Sequence, residues 1–211
     1  MHCYTVGPWK DIVNDQVRKV KNSGLWDVTQ KIHVGLLGSE SFHIVNDKFE
    51  IHYGDNPEKF EGYTLDILQN TCASDDYVWY THTKGVTHYY NPVIYNNVTN
   101  WRRLLEYFVI EQYGKCLQAL QMEYDVAGAL WRDTPFHFSG NIWWASGKHI
   151  INLPSVISWA KTARGFPERY NYEFWIGSRL CRALNLYDMP LLKNYFYDYD
   201  VGNVYRKPKI Y

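Results

Sequence analysis

One stretch constrains this chain more than any other: Asp75-Asp76-Tyr77-Val78-Trp79-Tyr80-Thr81-His82-Thr83-Lys84-Gly85. Its first half is β-branched and aromatic, which suits a buried strand. Its second half turns abruptly polar, with two hydroxyls, an imidazole, an ammonium and then a glycine. Open α/β sheets bind ligands where their strands stop, so such a cluster at a strand's carboxyl end predicts a ligand site. The plain alternative is an ordinary strand that ends in a polar turn.

The flanking sequence supports an α/β sheet. Residues 2–6 form a β-type run stopped by Gly7-Pro8. Apolar residues then recur at Trp9, Ile12, Val13, Val17 and Val20, a helical spacing that ends at Asn22-Ser23-Gly24. Strands are expected over 31–38 and 49–53, and a helix through Leu65, Leu68 and Cys72 leads into the opening stretch. This β-α-β-β-α-β order predicts a central, mostly parallel mixed sheet flanked by helices. Further on, the pattern predicts a long helix over 100–121, with Asn100 as its cap and Arg102-Arg103 in its first turn. Strands are expected over 124–130 and 140–145, and helices over 148–153, 155–163 and 172–184. Residues 164–169 read as a loop, and 191–211 as a carboxyl-terminal arm or linker. The whole reads as one domain, with a nucleotide-binding half over 1–100 and an acceptor half over 101–190.

Bulk properties exclude some functions. The 22 basic and 22 acidic residues cancel, so no global field favours nucleic acid. No apolar run is long enough to span a bilayer, and no basic-then-apolar leader precedes the first strand, which predicts a cytoplasmic protein. The four cysteines are scattered, without zinc spacing. Aromatic content is 18%, with 19 Tyr and 9 Trp, side chains that suit stacking on sugars or bases.

Reactive polar groups concentrate at residues 81–85, 137–144 and Glu173. Neither a GxGxxG nor a GxxxxGK[ST] phosphate loop is present. Asp75 and Asp76 resemble a metal motif, but six or seven extended residues, roughly 20 Å, separate them from Thr83. At the ligand end stand His82, able to bind a metal or a phosphate oxygen, and Lys84, able to neutralise a diphosphate. Trp143 and Trp144 point to opposite faces of a strand, so one can fill the core while the other offers a platform. Glu173, in the first turn of the 172–184 helix, is either a cap favoured by the helix dipole or a general base.

Taken together, Tyr80-Thr81-His82-Thr83-Lys84-Gly85, Trp101-Arg102-Arg103, residues 137–145 (HFSGNIWWA) and Tyr172-Glu173-Phe174-Trp175-Ile176-Gly177 resemble GT-A-type glycosyltransferase domains, including those encoded by chlorella viruses. The resemblance covers nearly the whole chain. It implies a nucleotide-sugar donor, a UDP-sugar, bound by Tyr4, Thr5, Val6, His82, Thr83, Lys84 and Gly85. It implies that His137, Ser139, Gly140, Asn141, Trp143 and Trp144 line the sugar and carbohydrate-acceptor side, with Glu173 as the base of an inverting displacement. Retaining transfer, or a non-catalytic carbohydrate- or nucleotide-binding module, is the alternative. The chain departs from the family where Thr81-His82-Thr83-Lys84-Gly85 stands in place of DxD. A divalent cofactor, Mn²⁺ or Mg²⁺, is thereby left open, with His82 as the ligand candidate. A viral source would make the location the host cytoplasm, and further domains of a longer polypeptide are compatible partners.

Overall fold

The computed structural model describes residues 1–42, 46–162 and 167–188. Residues 164–166 of the expected 164–169 loop and all of the expected 191–211 arm lie outside these residues, whereas Glu168 and Arg169 open a helix.

Three strands run parallel in the order β1 (His2–Tyr4), β2 (Ile32–Leu37), β3 (Phe49–Gly54). Four more follow as β4 (Tyr77–Tyr80), β8 (Trp143–Ser146), β5 (Val126–Gly128) and β9 (Ala183–Asn185), with β8 antiparallel to both its neighbours. A parallel bridge between His2 and His82 joins the two groups: His2 N–H donates to Thr81 O at 2.8 Å and Thr83 N–H to His2 O at 3.0 Å. The result is a mixed, mostly parallel sheet in the order 3-2-1-4-8-5-9, the α/β architecture expected from the sequence. A separate ribbon pairs β6 (Trp131–Asp133) with β7 (Phe136–Phe138).

Helices cover both faces. Helix α1 (Trp9–Asn22) buries Trp9, Ile12 and Val13 against Ile32, Val34 and Leu36, while Val20 joins the core that holds Leu25 and Leu105. Asp11 in its first turn and Lys19 and Lys21 in its last complement the helix dipole. Gly24, at φ +83°, reverses the chain into the short α2 (Leu25–Val28). On the opposite face lies α3 (Gly62–Thr71). It approaches β2 so closely that a Cβ on Gly35 would sit 2.0 Å from Thr64 Oγ1.

Several boundaries differ from the sequence reading. The long helix starts at Pro92, not Asn100: Asn91 caps α4 (Pro92–Glu106) by accepting Ile94 N–H. Arg102 therefore lies in a late turn. A π-helical turn, Tyr107–Glu111, separates α4 from α5 (Tyr113–Gln121). Both helices pack on the sheet face that carries Ala127 and Trp144, whereas α6 (Gly147–Asn152) and α7 (Val156–Ala160) serve the face of Val126 and Trp143. The expected helix over 172–184 is instead α8 (Glu168–Phe174), set up by Pro167 just before it and continued by a 3-10 turn, Trp175–Gly177. Its remaining residues lead into β9. A Cβ on Gly177 would lie 2.0 Å from Phe136 O, so the chain here is wedged against the ribbon.

Candidate functional site

Strand order reverses between β1 and β4. From β1 the chain moves outward to β2 and β3, then returns to place β4 on the other side. A crevice opens outside the carboxyl ends of strands at such a point. Two of the sequence-predicted segments meet there. Tyr4 N–H donates to Thr83 Oγ1 at 3.1 Å, and the His2–His82 bridge sets the two strand ends side by side. Thr5 is buried, its N–H on Leu37 O at 2.9 Å, so it supports the crevice from below. Val6 N–H turns back to Tyr4 O, and Gly7 at φ +52° lies flat against the ring of Tyr89. Tyr89 and its neighbour Tyr90 are 52% and 74% exposed, aromatic surface beside the β1 end.

The turn after β4 is held from behind by long polar side chains. From α1, Gln16 Nε2 reaches Thr81 Oγ1 at 3.1 Å, His82 O at 3.0 Å and Glu106 Oε1 at 2.8 Å. From α4, buried Arg102 donates to Lys84 O at 2.7 Å. Gly85, at φ +84°, completes the turn where a Cβ would meet Val98 Cγ1 at 2.3 Å. With its carbonyl fixed, Lys84 lays its ammonium 4.0 Å from the centre of the Trp101 ring. The charges of Lys84 and Arg169 both act on Glu61 and on His88, so two cations serve this end of the sheet.

His82 is buried with both ring nitrogens engaged inside the protein. Nε2 lies 2.9 Å from Gly140 O and Nδ1 3.0 Å from Glu61 Oε1. A carbonyl oxygen only accepts, so Nε2 carries hydrogen. The Nδ1–Oε1 contact then needs one shared proton, on the imidazole or on the carboxyl. Burial lowers the His82 pKa to about 4, helped by Lys84, and burial raises that of Glu61 against the opposing effect of Asn141. Both shifts favour the proton on Glu61 over His82. Binding a metal or phosphate would require His82 to give up one of these bonds.

Glu61 was missed in the sequence. It occupies the N-cap position of α3 without capping the helix, and its Oε2 accepts from Asn141 Nδ2. Asn141 Oδ1 in turn accepts from Trp143 Nε1 at 2.7 Å. Gly140 and Asn141 adopt φ +94° and +52° just before β8, and because β8 is antiparallel this turn falls beside His82.

The expected aromatic platform is not formed by the tryptophans. Trp143 stacks on Tyr80 at 5.0 Å, and Trp144 donates from Nε1 to Val109 O at 2.7 Å, so both fill core on opposite faces of the sheet. The sheet is covered on both sides, which leaves neither face open for a sugar. Ser139, half-buried, is fixed by its N–H on Leu130 O at 3.0 Å.

Glu173 stands next to last in α8 rather than in a first turn. The dipole therefore does not favour its charge, and the capping reading falls away. The side chain is half-buried and makes no hydrogen bond or ion pair among the described residues, while its charge reaches His82, His137 and Tyr80. His137 packs against Phe174 and accommodates Pro135 O at 2.7 Å from Nδ1. Its Nδ1 must donate there, which leaves Nε2 as the free lone pair. Burial lowers the His137 pKa, so this lone pair is available at neutral pH.

These residues do not fit a divalent cation. Around Lys84, no three His, Cys, Asp or Glu side chains converge among the described residues, and Glu61, the carboxylate on which its charge acts, is committed to His82 and Asn141. Asp75 and Asp76 lie at the opposite, amino edge of the sheet. There Asp76 caps Ala73 N–H, and both line a cavity of about 370 Å³ together with Met1, Lys31 and Ile32. That cavity opens on the beginning of β4, away from Lys84 and the β1–β4 junction.

A family described as Domain of unknown function (DUF8361) matches residues 6–180. Comparison with curated proteins and with solved structures gave no match.

Proposed function

The chain belongs to the DUF8361 family, and we propose that it is a GT-A-type glycosyltransferase that moves a sugar from a nucleoside-diphosphate donor, a UDP-sugar, to a carbohydrate hydroxyl. The observation that carries this reading is the meeting of β1 and β4 ends at the switch point, where the charges of Lys84, Arg169 and the uncommitted carboxylate of Glu173 all act on the Glu61–His82 pair. The two cations suit a diphosphate, and Tyr89 offers a face for the nucleobase. Glu173 takes the proton from the acceptor hydroxyl, whose oxygen attacks the anomeric carbon opposite the diphosphate. The bond from that carbon to the diphosphate oxygen breaks, and the cations stabilise the negative charge that the leaving group gains.

The test is binding and turnover with UDP and a panel of UDP-hexoses, with and without Mn²⁺. Saturable binding should raise the melting temperature, since the ligand binds only the folded chain. Glu173→Gln should bind donor as the unsubstituted protein does, while transfer falls by about 100-fold or more. No thermal shift with any nucleotide sugar overturns the reading. Binding without transfer or donor hydrolysis identifies a non-catalytic module, and full turnover in Glu173→Gln assigns a retaining course or moves the base to His137.

A further inference from the structure

We propose that His33, Glu50 and His52 form a binding site for a zinc-class divalent cation on the β2–β3 edge, apart from the crevice. The register pairs His33 with Glu50 and Gly35 with His52 across two parallel strands. The side-chain period of two then puts all three groups on one face. Three atoms converge: His33 Nδ1 lies 3.1 Å from His52 Nε2 and 3.9 Å from Glu50 Oε1, and His52 Nε2 lies 3.5 Å from that same oxygen. The point equidistant from all three is about 2.05 Å from each, within the range of zinc–nitrogen and zinc–carboxylate bonds.

The surroundings favour occupancy. The side chains are 32%, 48% and 23% exposed for His33, Glu50 and His52, so an ion can reach them and keep water on its remaining positions. Lys31 Nζ sits 4.0 Å from Glu50 Oε2, the other carboxylate oxygen, which leaves Oε1 facing the histidines. The backbone beneath is fixed, because the amino-terminal nitrogen donates to His33 O at 2.8 Å. Two imidazoles and one carboxylate suit zinc, cobalt or nickel better than magnesium, which prefers oxygen ligands. A bound ion would tie edge strand β3 to β2.

The experiment is calorimetric titration of chelator-treated protein with Zn²⁺ and with Mg²⁺, beside thermal melts. We expect one Zn²⁺ per chain, a higher melting temperature with Zn²⁺, and no response to Mg²⁺. Cobalt should give the visible absorption of a low-coordinate nitrogen–oxygen site. His33→Asn combined with His52→Gln should melt as the metal-free protein does and lose the Zn²⁺ response; Glu50→Gln, the least disruptive change, should weaken it. Absence of binding at micromolar Zn²⁺, or equal binding in the double variant, overturns the proposal. Neither result bears on sugar transfer, because no crevice residue is altered.

Discussion

His82 and Glu61 share one proton, and this sharing controls how the pair responds to pH. In the unfolded chain at pH between about 4.5 and 6.5 the histidine is protonated and the carboxylate is not. In the folded chain the opposite shifts favour the proton on Glu61 and a neutral His82. For His82, a folded pKa near 4 means stability present above pH 6.5 and lost as pH falls toward 4. For Glu61, a raised folded pKa means stability present at low pH and lost as pH rises. While the pair keeps its proton, the two slopes cancel. Glu61→Gln removes one slope and preserves the contacts, since its amide can donate to His82 Nδ1 and accept from Asn141. The variant should therefore lose about 2 kcal/mol of stability from pH 7 to pH 5 that the unsubstituted protein does not lose. Urea unfolding at both pH values measures this, and identical pH profiles would show that Glu61 and His82 do not share a proton in the folded state. Nothing in the sequence pointed to the pair. His82 stood out by its place at a strand end, but its partners Glu61 and Gly140 are 21 positions earlier and 58 later, and only strand pairing brings them together.

At the level of elements, the 81–85 turn depends on α1 and α4 for its shape. Gln16 is fully buried and its two N–H groups serve three acceptors, two of which belong to the turn. Gln16→Leu keeps the volume but strands the carbonyl of His82 and the hydroxyl of Thr81, so it should cost roughly 2–4 kcal/mol, one to two buried unsatisfied groups. It should also weaken donor binding, because the backbone that aims Lys84 loses a support. A change below about 0.5 kcal/mol in urea unfolding would mean that the turn stands without α1. Helix α1 itself was legible, because its apolar residues recur at helical spacing and Gly24 ends it. The start of α4 was also written in the sequence, as Asn91 followed by Pro92, but a polar, Tyr-rich context made that pair read as loop. Helix α8 starts earlier than the sequence suggests, because Phe174, Ile176, Leu180 and Leu184 imitate a helical stripe. Leu180 is in fact 87% exposed, and Leu184 belongs to a strand only three residues long, too short to show a period.

Across the whole molecule, the order 3-2-1-4-8-5-9 decides which end of the sheet can work. The alternation of strands and helices predicted the parallel sheet, and the length of β4 predicted that Asp75 and Asp76 fall on the far edge. The antiparallel insertion of β8 could not be read from any single segment, yet it alone brings Gly140 and Asn141 to His82. Two places now compete for the donor: the switch point with Lys84, and the amino-edge cavity of about 370 Å³ lined by Asp75 and Asp76. Charge separates them. A diphosphate is repelled by paired carboxylates, which the one ammonium of Lys31 offsets only in part, and attracted by an ammonium that faces no such pair. Asp75→Asn combined with Asp76→Asn should therefore leave UDP-sugar affinity unchanged within about twofold. It should cost roughly 1 kcal/mol of stability through the weakened cap at Ala73. Lys84→Met should keep the side chain over Trp101 and lower affinity by about tenfold or more, since a charge-assisted contact to phosphate contributes roughly 1.5–3 kcal/mol. Calorimetric titration of both variants with the donor distinguishes the sites. If the aspartate variant loses binding and Lys84→Met keeps it, the donor occupies the amino edge and the switch point is only a packed junction.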